Sequence, residues 1–130
     1  MFSLPLEHGA LAPATARHGA RPVLASWGLD EDEIYDTLLV VSELVTNAVT
    51  HALPPVALHL YAAANDAGCG RVQVHVSDGD PQPASSAWAA TRPDDEHGRG
   101  AAIVSALADD AGTTGDMDGL IDRWADLSVA

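Results

Sequence analysis

Ile34, Leu38, Val41, Val45, Ala48 and Ala52 follow one another at spacings of four and three. At about 100° per residue, this places one apolar stripe along one side of a helix. Asp30-Glu31-Asp32-Glu33 precedes the stripe. It offers an N-cap with a glutamate three residues later, the capping-box signature. Pro54-Pro55 ends the helix. The period then changes to two. Val56, Leu58 and Leu60 alternate with Ala57, His59 and Tyr61, and Val72, Val74 and Val76 alternate with Gln73, His75 and Ser77. Both runs predict half-buried strands. Asn65, Asp66, Gly68 and Gly70 between them predict a hairpin.

The flanking signals complete the order. Residues 2–4 predict a short edge strand closed by Pro5, within a lead-in of residues 1–13. Residues 14–28 are alanine-rich and predict a helix that kinks or restarts at Pro22 and stops at Gly28. Asp78-Gly79-Asp80-Pro81 predicts a sharp turn into a long loop of Pro, Ser, Ala and acid. A loop of that length in a compact domain is usually functional or mobile. Ile103, Val104, Leu107, Ala108 and Ala111 predict a second apolar helix face starting near Gly100, followed by a loop over residues 112–119. Residues 120–130 predict a strand with Ile121, Ala125, Leu127 and Val129 on one face. No internal repeat is present. The expected fold is α+β, a two-layer sandwich with helices on one face of a sheet, in a single domain over residues 1–130.

Composition excludes several functions. Six basic residues against nineteen acidic ones leave a net charge of −13. Nucleic acid and anionic membranes both reward a basic face, so neither is an expected direct partner. All six basic residues are arginine. Without lysine there is no P-loop lysine, no strand lysine of a eukaryotic-type kinase and no Schiff-base amine. The single Cys69 has no internal disulfide partner and fits a reducing cytoplasm. Residues 1–7 lack the basic and apolar regions of a signal peptide, and no segment has the length of a membrane span.

Three groups of residues carry chemistry. Glu43 and Asn47 lie four apart, on one helix face. They are either a solvated polar face or a ligand-binding pair. In the second case the neutral amide suits Mg²⁺ already partnered by phosphates, and the carboxylate orients a hydroxyl for attack. Asp78-Gly79 at a strand end is either a turn or a base-recognition pair. A carboxylate there accepts from an exocyclic amine, while the glycine lets a ligand approach the backbone. His97-Gly98-Arg99-Gly100 at a helix start offers free amides and a guanidinium to an anion. It is no dinucleotide fingerprint, because no strand leads into it and Ile103 stands at the third glycine position. The six histidines show no metal-ligand spacing.

Together these blocks resemble a known superfamily. The segment from Ser42 through Glu43 and Asn47 to Ala52 looks like the N box of GHKL-type ATPases, the superfamily of gyrase, MutL and the histidine kinases. Val76-Ser77-Asp78-Gly79-Asp80-Pro81 resembles their G1 box, and His97-Gly98-Arg99-Gly100 with Ala101-Ala102-Ile103-Val104 their G2 box. The wording is closest to the anti-sigma-factor serine/threonine kinases and to stand-alone regulators of that type in actinomycetes. Trp27-Gly28-Leu29 and Trp124-Ala125-Asp126-Leu127 also match.

The resemblance implies a Bergerat fold with a mixed sheet, binding ATP with Mg²⁺. Asn47 would be the Mg²⁺ ligand and Glu43 the general base or the orienting residue. Asp78 would bind the adenine amine, with Gly79 giving the base room. Residues 81–98 would form the ATP lid, and Gly98, Arg99 and Gly100 would wrap the phosphates. The implied activity is phosphorylation of a serine on an anti-anti-sigma (STAS-type) partner. The implied partners also include a sigma factor and a second copy of the chain. The alternative is a nucleotide-dependent interaction module without turnover. The chain departs from the family's pattern at Gly19 and Pro22 in the first helix. It departs again at Gly119-Leu120-Ile121-Asp122-Arg123, where a glycine-lysine pair usually opens the last strand.

Overall fold

Asp30 starts the long helix as its neighbours dictate. In the computed structural model, which describes residues 1–64, 70–79, 103–115 and 119–129, the Glu33 N–H donates to the Asp30 carboxylate at 2.8 Å. The Asp30 N–H donates to the Glu33 carboxylate at 2.9 Å. This capping box satisfies donors that a first helical turn leaves without internal partners. Glu31, Asp32 and Glu33 also meet the positive end of the helix dipole. The helix is α2 (Glu31–His51), and α1 (Ala12–Ser26) precedes it. The predicted stripe on α2 is buried, from Ile34 to Ala48. Thr37, Val40 and Leu44 are buried beside it. The buried face is wider than the stripe because α2 packs on the sheet and on α1 at once. Thr37 satisfies its hydroxyl on the Glu33 carbonyl at 2.8 Å.

Buried Ala12, Ala16, Ala20 and Leu24, each four apart, form the inner face of α1. Of the two outcomes expected at Pro22, the restart does not occur, and α1 passes through it. Pro22 lies on the exposed side, where the carbonyl one turn back has access to water. Gly19 has a packing reason: a Cβ there would lie 2.8 Å from Leu4 Cδ2. Gly28, at φ +84°, turns the chain into α2. Arg17 donates to Ser42 Oγ at 2.7 Å, and Arg21 pairs with Glu31 at 3.3 Å, clasping the two helices.

The sheet contains β1 (Phe2–Leu6), β2 (Val56–Ala64), β3 (Gly70–Asp78), β4 (Asp110–Gly115) and β5 (Ile121–Val129), in the order β1-β2-β3-β5-β4. Among the described residues all four pairings are antiparallel, which corrects the mixed sheet that the resemblance implied. Two helices between β1 and β2 return the chain in the opposite direction. β4 does run parallel to β3, but β5 lies between them. Leu58, Leu60, Val72, Val74, Val76, Ala125 and Leu127 form the buried face. Val104, in the helical residues 103–107, joins the same core. Among the described residues, no helix is long and apolar enough to cross a membrane.

Two boundaries differ from the sequence reading. β1 continues through Pro5 to Leu6. It is an edge strand, where half of the N–H groups have no ladder partner to lose. Residues 110–115, expected as a helix end and a loop, form β4. Its sequence lacks alternation because nearly every residue is exposed. β5 fixes it instead. A Cβ on Gly112 would lie 2.7 Å from the Trp124 ring. The Asp109 N–H donates to the Asp126 carbonyl at 2.8 Å, and its carboxylate accepts from Ser128.

The capping box gives a direct stability test. Asp30→Ala should lower the unfolding free energy by about 1 kcal/mol, measured by urea denaturation with an unchanged slope.

Candidate functional site

One end of the sheet gathers the exit of α2, the end of β3 and the start of β5. The Gly79 N–H donates to the Leu53 carbonyl at 2.7 Å. His8 Nε2 donates to the neighbouring Ala52 carbonyl at 2.7 Å. The chain leaves α2, passes the cis Pro54-Pro55 bond and enters β2 at the same end. In the ladder Asp78 faces Ile121 and Ser77 faces Ala57. The exit of α2, the end of β3 and the start of β5 therefore share one edge.

Glu43 and Asn47 lie on α2 about 12 and 6 Å before its last residue, at 1.5 Å per residue. A solvated polar face would leave them as open as their neighbours Thr46 and Thr50, which are exposed. Both are half-buried instead. Among the described residues, no side-chain hydrogen bond engages either of them. The amide and the carboxylate thus form a half-buried polar pair on one face of α2, a donor set that suits a phosphate-bound Mg²⁺ and a hydroxyl nucleophile.

Asp78 is fully buried, at 0% side-chain exposure. Arg123 on β5 donates from Nε to Asp78 Oδ2 at 3.1 Å. Burying a carboxylate is costly unless a counter-charge and hydrogen bonds compensate it, and Arg123 supplies the charge and one such bond. The sequence reading did not place Arg123 here. Its signal is visible in hindsight: Arg123 is the one charged residue among Ile121, Ala125, Leu127 and Val129, on the inward face of β5.

Gly79 is constrained by the protein itself. A Cβ there would lie 2.4 Å from the Pro54 carbonyl oxygen and 3.2 Å from that of Leu53. The absent side chain lets the α2–β2 connection close onto β3. Gly98, Arg99, Gly100 and the expected lid over residues 81–98 lie outside the described residues.

His59 and His75, on the sheet face away from the helices, are half-buried and partnered. His59 bridges Ser3 at 2.9 Å and Ser77 at 3.2 Å. His75 meets Asp122 at 2.6 Å and stacks on Trp124 with ring centroids 6.5 Å apart. Among the described residues, no group of three or more His, Cys, Asp or Glu is placed to hold a metal ion.

The family described as "Histidine kinase-like ATPase domain" matches residues 7–119. Among solved structures, the crystal structure of the RsbU and RsbW domains of Rv1364c from Mycobacterium tuberculosis aligns with a TM-score of 0.66 and 24% identity, over 99% of this chain and 33% of that one. The chain thus spans about a third of the length of that relative. The SiaB-SiaC complex from Pseudomonas aeruginosa aligns with a TM-score of 0.57 and 15% identity, over 99% of this chain and 90% of that one. At these identities the structures show a shared fold. No curated protein matches the chain.

The contact at Gly79 predicts a position-specific cost. Gly79→Ala should destabilise the fold by about 1–3 kcal/mol. Gly9→Ala, where a Cβ meets nothing within 4 Å, should stay within about 0.5 kcal/mol of the parent. Thermal melts of the two variants side by side check this.

Proposed function

This chain belongs to the histidine kinase-like ATPase domain family, an ATP-binding family, and on that premise we propose that it is an ATP-dependent serine/threonine kinase of the anti-sigma-factor type. Its substrate would be a serine on an anti-anti-sigma partner. The observation that carries this reading is that Glu43 and Asn47 are half-buried on α2, the helix whose exit is hydrogen-bonded to the strand end that carries the buried Asp78. The three motif blocks of the sequence, and the fold shared with an RsbW-containing structure, support the branch.

Each residue has a role in that reaction. Asp78 accepts from the adenine amine and fixes the base. Asn47 would hold Mg²⁺ through its amide oxygen; the bound ion would neutralise charge on the phosphates. Gly98, Arg99 and Gly100 would add backbone amides and a guanidinium to the phosphate tail. Glu43 orients the serine hydroxyl of the partner and takes its proton. The serine oxygen bonds to the γ-phosphorus as the bond to the β–γ bridging oxygen breaks, and ADP leaves. Positioning and electrostatics supply most of the rate in such transfers. The same pocket in a protein without turnover would make ATP a switch for partner binding, holding a sigma factor or another regulator.

Two substitutions test the assignment. Glu43→Ala should keep Mg-ATP affinity within about threefold and lower transfer of labelled phosphate to the partner by about 10²–10⁴. A parent protein that binds ATP and transfers nothing to that partner would leave the switch instead. Asn47→Ala should weaken Mg-ATP binding by about tenfold or more and remove its dependence on Mg²⁺. Calorimetry with and without Mg²⁺ reads this, and an unchanged affinity refutes the metal role.

A further inference from the structure

A guanidinium on an apolar strand face needs a reason. Arg123 shares the inward side of β5 with Ile121, Ala125, Leu127 and Val129, and its side chain retains 21% exposure. Its Nε reaches Asp78 Oδ2, on a carboxylate with no exposure at all. On the other side of the strand, the adjacent Asp122 is engaged by His75. Arg123 and Asp78 thus form an ion pair at the edge where the base would be read.

We propose that Arg123 is a positioning residue that sets purine selectivity: it keeps Asp78 ionised and orients it as an acceptor for a 6-amino group. This rests on the reading of Asp78 as the base acceptor given above.

A carboxyl group taken fully out of water without a counter-charge is stabilised in its protonated form. Protonated, it donates as well as accepts. It then meets a 6-oxo purine as readily as a 6-amino purine, and selectivity at that ring position is lost. A guanidinium beside it makes the charged form the stable one, so the carboxylate only accepts. A carboxylate has about four lone-pair sites, more than the Arg123 bond uses. The rigid planar donor also fixes the tilt of the carboxylate, which a mobile ammonium does less well. Where sites are built to hydrogen-bond one group, mismatched groups are rejected because buried polar atoms go unpaired.

ATP and ITP isolate the effect, since the change lies at the purine 6-position and the adjoining ring nitrogen. Calorimetric affinities for Mg-ATP and Mg-ITP on the intact chain give a ratio that does not depend on the fraction folded. The parent should favour ATP by about tenfold or more, and Arg123→Met should bring the ratio close to one. Arg123→Lys, which restores the charge, should keep the ratio within about threefold of the parent. In an Asp78→Asn background, adding Arg123→Met should change the ratio by less than about twofold, because Arg123 acts through Asp78.

An Arg123→Met protein with the parent ratio overturns the proposal. If that variant does not fold, the comparison of Asp78→Asn with the Asp78→Asn/Arg123→Met double variant decides. A further change beyond about twofold there overturns it as well. If Asp78→Asn itself leaves the parent ratio intact, the base-acceptor reading fails. If Asp78→Asn collapses the ratio and Arg123→Met does not, only the role of Arg123 fails.

Discussion

The hydrogen bond from the Gly79 amide to the Leu53 carbonyl ties the end of β3 to the exit of α2. Every functional proposal depends on that closure. Asp78 sits one residue before it, and Asn47 lies six residues before Leu53. A single polar contact would be a weak anchor, with a net worth of about 1 kcal/mol. Here it is locked by sterics. The Pro54 carbonyl occupies the space that any side chain at 79 would need, so only glycine lets the two segments meet. The apolar stripe of α2 then fixes the helix's rotation on the sheet, which leaves Glu43 and Asn47 half-sheltered instead of open to water.

Much of this was legible in the sequence, for physical reasons. The capping box, the four-and-three stripe and the two alternating valine runs each encode a local rule, and the structure follows them. What was not legible lies where tertiary contacts override local pattern. β4 carries no alternation because an exposed edge strand has no buried face to encode; its position comes from Trp124 and from Asp109 bonding to β5. At Pro22 the helix continues instead of restarting, with Pro22 on the exposed side of a helix held by the buried Ala12, Ala16, Ala20 and Leu24. The antiparallel sheet follows from connectivity that single-strand patterns do not carry.

The site divides in the same way. Residue types and spacing named Glu43, Asn47, Asp78 and Gly79, and the structure brings the exit of α2 to the end of β3. They did not name Arg123. Its meaning arises only when β5 is set beside β3, placing the guanidinium against Asp78. The structure also changes the account of Gly79, which makes room first for the protein's own backbone. The motif thereby has a folding role alongside any role toward a base.

A co-crystal structure with Mg²⁺ and a nonhydrolysable ATP analogue tests the central claim most directly. The account predicts the adenine amine on the Asp78 carboxylate, the metal on Asn47 and the terminal phosphate within reach of Glu43. An analogue bound away from the end of β3, or an Asn47 amide that touches neither metal nor phosphate, would contradict it.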